Sequence, residues 1–315
     1  MTEGQQGVTW DQWLALALAC EEHGIPALFR SDHYLSMGQP GEEGALDAWA
    51  TLSALGARTE RVRLGTMVSP VTFRHPAELA KAVATADHAS EGRVELGMGA
   101  GWFEAEHTAY GFPFPPVAER MQMLEEQTEI VHRSLSHDEK AFTFEGRHYT
   151  LRDCPALPKP VQKPHPPLII GGEAGPLSTR IAARWADGYN VNFVAPPECT
   201  QARARVDRAC EALGRDPGEV PLSLMTGSLV GADEDELMDR AKRLMDRRGQ
   251  TGDAKAYLDG LGDAWLVGTP KTILERLAAL SEAGVRRVMF QHLLHDDLDA
   301  VALIGSALVP EAATL

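Results

Sequence analysis

The stretch RVRLGTMVSPVTFRHPAELAKAVATADHASEGRVELGMGAGWFEAE, Arg61 to Glu106, carries one complete strand–helix–strand unit. Arg61 to Val68 reads as a strand, rich in apolar and β-branched residues. Pro70 then holds Ser69 extended. Pro76 stands in the first turn of a helix, where its missing N–H costs nothing, and Leu79, Val83 and Ala86 fall on one face of that helix. Arg93 to Met98 is the next strand. Strands joined by a helical crossover lie parallel in one sheet, and the crossover is right-handed.

The same rhythm extends both ways from this unit. Towards the N-terminus, Thr9-Trp10-Asp11-Gln12 has the form of a capping box before a helix running to Gly24. Ala27 to Ser31 is a strand and Leu46 to Arg58 a helix. Towards the C-terminus, strands at Pro167–Ile170, Gly188–Asn192, Leu222–Thr226 and Arg287–Phe290 alternate with helices at Leu177–Trp185, Pro197–Leu213, Asp233–Arg247 and Pro270–Ala283, the last with Thr269 at its cap. A helix from Leu298 closes the chain. The 315 residues suit a single (β/α)₈ TIM barrel domain, 1–315, a fold that takes about 250 residues plus insertions. Seven strands follow the first helix. The eighth must precede Thr9, where Met1-Thr2-Glu3 supplies a short or missing first strand, and a doubly wound open sheet is the alternative. Two segments break the alternation: 136–166, with a hairpin at Phe142–Tyr149 and a proline-rich run, and 249–268. In a barrel both are expected over the mouth, since long insertions are usually functional.

A net charge of −15 repels phosphate backbones and argues against nucleic-acid partners. No apolar run approaches the roughly 20 residues of a membrane helix, and Met1–Gly7 lacks the features of a signal peptide. Cys20, Cys154, Cys199 and Cys210 form no C-x-x-C pair, so neither a zinc site nor a disulfide framework is expected. A reducing, cytoplasmic location fits. His33, His75, His88 and His107 have no metal-ligand spacing, so no metal is expected.

Active sites of parallel barrels form where strands end. Ser31-Asp32-His33-Tyr34 follows the strand at Ala27. His33 there can handle a proton, and Asp32, pointing the other way, suits a loop-organising role; a capped surface turn fits the same residues. Met67 to Pro76 is apolar for a loop and could back a flat ring or pack under helices. Gly97-Met98-Gly99-Ala100-Gly101-Trp102 has dinucleotide-like glycines, but Pro113 and Pro115 place the next helix no earlier than Pro116, which removes the Rossmann context. The glycines then read as room for a ligand ring, with Trp102 lining it and Glu104, Glu106 and His107 nearby, or as a flexible turn. Gly171-Gly172-Glu173-Ala174-Gly175-Pro176-Leu177-Ser178-Thr179 does run strand–glycines–helix, a pattern for an anion site aided by the Ser178 and Thr179 hydroxyls; a capped tight turn is the other reading.

Three stretches together, FRSDHYL (Phe29–Leu35), the quoted Arg61–Glu106 segment and PLIIGGEAGPLSTRIAARWADGYN (Pro167–Asn190), with GTPKTILERL (Gly268–Leu277), resemble the luciferase-like monooxygenase superfamily, in particular its F420-dependent oxidoreductase branch. The likeness runs from about Thr9 to Phe290. The resemblance implies a barrel whose mouth holds coenzyme F420 (8-hydroxy-5-deazaflavin) and an enzyme that moves a hydride to or from a small organic substrate. It implies His33 beside the ring as the catalytic residue. A non-proline cis peptide is implied at Met67-Val68, with both residues in the cofactor site. Gly99, Ala100 and Gly101 would border the ring, with Asp32 and Trp102 also in the cofactor site. Gly171 and Gly172 would hold the cofactor phosphate through their N–H groups, with Ser178 and Thr179. Reduced FMN, giving a monooxygenase, and a non-catalytic flavin-binding protein are the alternatives. The superfamily often pairs, so a homodimer is an expected assembly. The superfamily's sugar-phosphate dehydrogenases carry Glu where Trp102 stands, which makes sugar phosphate a poor substrate expectation.

Overall fold

The computed structural model describes residues 1–37 and 44–315. Strands β1 (Ala27–Arg30), β2 (Arg63–Pro70) and β3 (Val94–Gly99) pair in parallel, as the first crossover unit requires. The chain then leaves the sheet for a hairpin, β4 (Phe142–Glu145) and β5 (Thr150–Cys154), and returns as β6 (Leu168–Gly171), β7 (Gly188–Asn192) and β8 (Leu222–Val230). β9 (Leu266–Gly268) pairs with the outer end of β8, and β10 (Val285–Gln291) with its inner length, in the order β1-β2-β3-β6-β7-β8-β10.

Met1–Glu3 completes the ring. The Thr2 N–H donates to Phe29 O (2.9 Å) and Ser31 N–H to Thr2 O (3.2 Å) on one side. On the other, Met1 N donates to Phe290 O (2.9 Å) and His292 N–H to Met1 O (2.8 Å). These stub residues therefore bridge both neighbouring strands, and the open-sheet alternative falls. Side chains fill the interior. Met1, Phe29, Met67, Ile169, Met225 and Met289 form a buried apolar plug, with flexible thioethers suited to an irregular space. At the strand starts, buried Glu95 accepts from Arg63 Nε (2.5 Å) and Arg287 Nη1 (2.6 Å).

The outer layer follows the alternation: α1 (Trp10–Glu22), α2 (Ala48–Gly56), α3 (Pro76–Ala89), α4 (Glu104–Tyr110), α5 (Val117–Leu135), α6 (Pro176–Trp185), α7 (Pro196–Ala212), α8 (Glu234–Arg247), α9 (Ala254–Gly260), α10 (Pro270–Glu282) and α11 (Leu298–Leu303). The Thr9 capping box is made: Thr9 Oγ1 accepts from Gln12 N (3.3 Å) and Gln12 Oε1 from Thr9 N (3.0 Å). Trp13, Leu52, Leu79, Val83 and Leu96 join the main core between sheet and helices.

Four expectations change. A helix does precede Pro116, because α4 fits its two turns between Phe103 and Gly111, whose φ of 73° ends it ahead of the prolines. Segment 249–268 is not irregular: Asp253 caps α9 by accepting from Ala256 N (2.8 Å), and β9 follows. Thr269 occupies the cap position of α10 without a side-chain cap bond. Segment 136–166 does not roof the mouth. Its hairpin is pinned to α5, where Glu126 accepts from the Arg147, His148 and Tyr149 amides. Its proline-rich strap runs down α3 to the far end, where the Val161 and Gln162 amides donate to Asp87.

Burial raises the Glu95 carboxyl, but Arg287 and Arg63 outweigh it and hold its pKa below the usual value of 4.5. Its contribution to stability is thus complete above about pH 4.5 and lost as pH falls through the folded-state value. Glu95→Gln should cost about 2–3 kcal/mol, measured by urea unfolding at pH 7, and should flatten the acid limb of the stability profile.

Candidate active site at the barrel mouth

At the end of β1 neighbouring side chains part company, as an extended backbone demands. Buried Asp32 accepts from Ser69 Oγ (2.7 Å) and from both Arg74 terminal nitrogens (2.5 and 3.2 Å). Arg74 Nη2 also donates to Asp47 Oδ2 (2.6 Å), the carboxylate that caps α2. Asp32 therefore ties β1 to the end of β2, and its oxygens are committed to protein groups. His33 goes the other way. Its Nδ1 lies 2.6 Å from Glu106 Oε1 on α4. Glu106 is fully buried, and its Oε2 accepts from the Tyr34 and Leu35 amides (2.9 and 3.4 Å). A carboxylate acceptor puts a proton on Nδ1 and leaves Nε2 as the nitrogen for a ligand. Burial lowers the His33 pKa, but the hydrogen bond and charge of Glu106 overcome it, and the net shift is upward.

The Met67-Val68 peptide is cis, and the β2–β3 register slips between Thr66 and Ser69 at that point. Met67 turns inward to the apolar plug, so it does not face the mouth. Val68 is partly exposed. A Cβ on Gly99 would stand 2.6 Å from Val68 Cγ2, and one on Gly171 2.7 Å from Val68 Cγ1. A side chain at either of these glycines, at the ends of β3 and β6, would collide with Val68. Between them they seat one branched aliphatic side chain as a low apolar spur.

Beyond Gly99 and Ala100, Gly101 turns at φ 78° with its Cα side against Thr72 and Pro70. That turn throws Trp102 outward, 63% exposed. Its ring stacks on Phe103 (5.3 Å, 25°) and meets the edge of His33 (5.9 Å, 81°). From the stub, buried Glu3 accepts from Gln5 Nε2 and Gln291 Nε2, both 2.6 Å.

The β6–α6 turn is more committed than its glycines suggest. Gly172 N–H donates to Asn190 O (3.0 Å), extending the sheet. Tyr189 Oη accepts from Ala174 N (2.8 Å) and meets Ser178 Oγ (2.8 Å). Ser178 and Thr179 hydroxyls donate back to Gly175 O, each at 3.0 Å. Gly172 and the two hydroxyls are thus already bonded within the protein. What remains is the start of α6: Gly175 at the cap has no side chain to offer, so the Leu177 and Ser178 amides lack both an intrahelical and a capping acceptor.

A family profile described as luciferase-like monooxygenase matches residues 1–287. The chain belongs to the luciferase-like monooxygenase family. It is 30% identical over 326 residues to an F420-dependent glucose-6-phosphate dehydrogenase of Nakamurella multipartita, spanning 95% of this chain and 92% of the relative. Among solved structures, monooxygenase RslO1 from Streptomyces bottropensis superposes with a TM-score of 0.81 (23% identity; 96% and 93% of the two chains). The coenzyme F420-dependent tetrahydromethanopterin reductase from Methanopyrus kandleri gives 0.80 (21% identity; 98% and 97%). These likenesses carry the (β/α)₈ fold. For this family member the mouth gathers His33, Val68, Gly99 to Trp102, Gly171 and the start of α6, while Asp32 and Met67 stand behind it. Glu106, 73 residues from His33, had no assigned role in the sequence because α4 was not foreseen. Among the described residues no cluster has a metal-ligand arrangement, and no helix is long and apolar enough to cross a membrane.

Two outcomes follow from this geometry. Gly171→Ala should destabilise by about 1–3 kcal/mol through overpacking, and adding Val68→Ala should recover most of that loss in urea unfolding. His33, followed by NMR, should titrate above about 6.5, and Glu106→Gln should bring it down. The pair's stabilisation is complete below that ordinary value and fades as pH rises through the folded-state value.

Proposed function

We propose that this chain is an oxidoreductase moving a hydride between coenzyme F420 and a small organic substrate, with His33 handling the accompanying proton. The observation that carries the reading is the His33–Glu106 pair, set at the rim beside the apolar Val68 spur. The named F420-dependent relative, alike over almost its whole length, supports the same coenzyme here. The residues fit such a group. Val68 and the Gly99–Gly101 backbone give a flat apolar rest for a ring, and the uncapped start of α6 gives amides for a phosphate, with the helix dipole behind them. Gly171 borders the rest through its seat for Val68.

When bound, the coenzyme supplies or takes the hydride. The chain's own contribution is orientation and proton handling. Glu106 fixes the His33 ring and keeps it cationic to higher pH, so Nε2 holds a proton to give to a substrate being reduced. The whole chain, 1–315, acts as one barrel. We place it in the cytoplasm on the strength of its four free cysteines, and a homodimer follows the habit of the superfamily.

Titration with F420 and with FMN, followed by fluorescence, tests the reading; tighter binding of FMN overturns the coenzyme assignment. His33→Ala leaves buried Glu106 with only its amide donors and should lower the melting temperature; assayed well below that temperature it should lose on the order of 10²–10⁴ in kcat, and unchanged turnover would remove His33 from the chemistry. Gly175→Asp tests the phosphate seat. A Cβ there meets nothing within 4 Å, so the new carboxylate can cap α6 and stabilise by a few tenths of a kcal/mol, about the usual gain. The same carboxylate occupies the anion's place and should weaken F420 binding by about tenfold or more.

A further inference from the structure

We infer that the substrate of this enzyme is a flat, uncharged, apolar carbonyl compound or its alcohol, held against Trp102, and not a sugar phosphate; the inference rests on the F420 reading above and deepens it. Two independent observations carry it.

The first is the charge inventory of the rim. Among the described residues, the segments that follow the strands, 31–37, 44–47, 71–75, 100–116, 172–175, 193–195 and 292–297, contain one Lys or Arg between them, Arg74. Arg74 is spent on Asp32 and Asp47. On the α8–α9 side of the rim the arginines are also engaged. Arg240 and Arg243 pair with Asp297, Arg247 donates to Gln6 O and His295, and Arg248 donates to Tyr257 and lies over the Trp265 ring. That leaves Lys255 as the α8–α9 cation without a protein partner among the described residues. A phosphate dianion is ordinarily held by Arg or Lys forks or by helix-start amides. Here the uncapped α6 start goes to the coenzyme, and a second anion would face Glu104, Glu106 and Glu3 instead. The relative that acts on glucose 6-phosphate by name is similar in sequence, but similarity of fold does not carry a substrate pocket with it.

The second is Trp102. An indole 63% exposed in a folded protein is unusual cargo for solvent. This one is held in place by a glycine turn, backed by Phe103 and set edge-on to His33. Its open face is adjacent to the proton-handling imidazole, where a planar substrate can stack while presenting its oxygen to Nε2. Phe193, 37% exposed after β7 and held at φ 51°, adds a further aromatic to the rim. Trp102 thereby moves from the coenzyme site, where the sequence placed it, to the substrate site.

Calorimetry on the F420-loaded enzyme tests this with three probes: 2-acetylnaphthalene, 2-naphthoate and glucose 6-phosphate. The neutral ketone should bind about tenfold or more tighter than either anion. Trp102→Ala should weaken the ketone by about three- to tenfold, Trp102→Phe should restore most of it, and F420 affinity should stay within about twofold in both variants. Glucose 6-phosphate binding as tightly as the ketone, no ketone binding, or a Trp102→Ala loss felt in F420 affinity instead of ketone affinity each overturns the inference. Failure of the wild type to bind F420 in the preceding titration overturns the functional reading itself, and this inference with it.

Discussion

One aliphatic side chain sets the shape of the working end of this barrel. Val68, at the register slip in β2, takes up volume that Cβ atoms on its neighbours would need. Close-packed interiors leave no slack for both, so Gly99 and Gly171 must be glycine once Val68 is where it is. Gly99, which looks like part of a nucleotide loop, forms with Gly171 a seat for that valine. Only through that seat do they make a smooth surface for a ring.

The same bulge sends the end of β2 toward its neighbours. Ser69 reaches Asp32, and Arg74 just beyond it gathers Asp32, Asp47 and Tyr34. This network fixes the β1 end, and its counterpart on the opposite face is the His33–Glu106 pair. A buried carboxylate is tolerable only where it is paired and hydrogen-bonded. Glu106 meets both conditions, through the imidazole and two amides. The surroundings of His33 are thus organised by one carboxylate on each side of the strand, one for position and one for protonation.

The barrel was legible because each strand–helix unit carries its own signals: a proline opening α3, a box at Thr9, an apolar stripe on α6. The stub at Met1–Glu3 was harder to read, since a three-residue strand has no period to detect and exists only through its bonds to both neighbours. α4 was missed because prolines downstream suggested a later start, while this two-turn helix needs just the seven residues before Gly111. His33 was found from its place after a strand, and the β6–α6 turn from its glycines. Which amides of that turn stay unpaired was not readable, because Tyr189 and Asn190, the groups that claim the others, come from the next strand.

Sequence alone determined the alternating parallel architecture, the acidic surface and the strand ends where chemistry belongs, because periodicity, caps and composition are local properties of the chain. Tertiary structure decided which of the residues at those ends face the mouth. It joined His33 to Glu106, turned Met67 inward and Trp102 outward, and routed the proline-rich insertion down the wall. Those outcomes depend on contacts between segments tens of residues apart, and a strand end can turn a side chain either way until its neighbour across the barrel is in place.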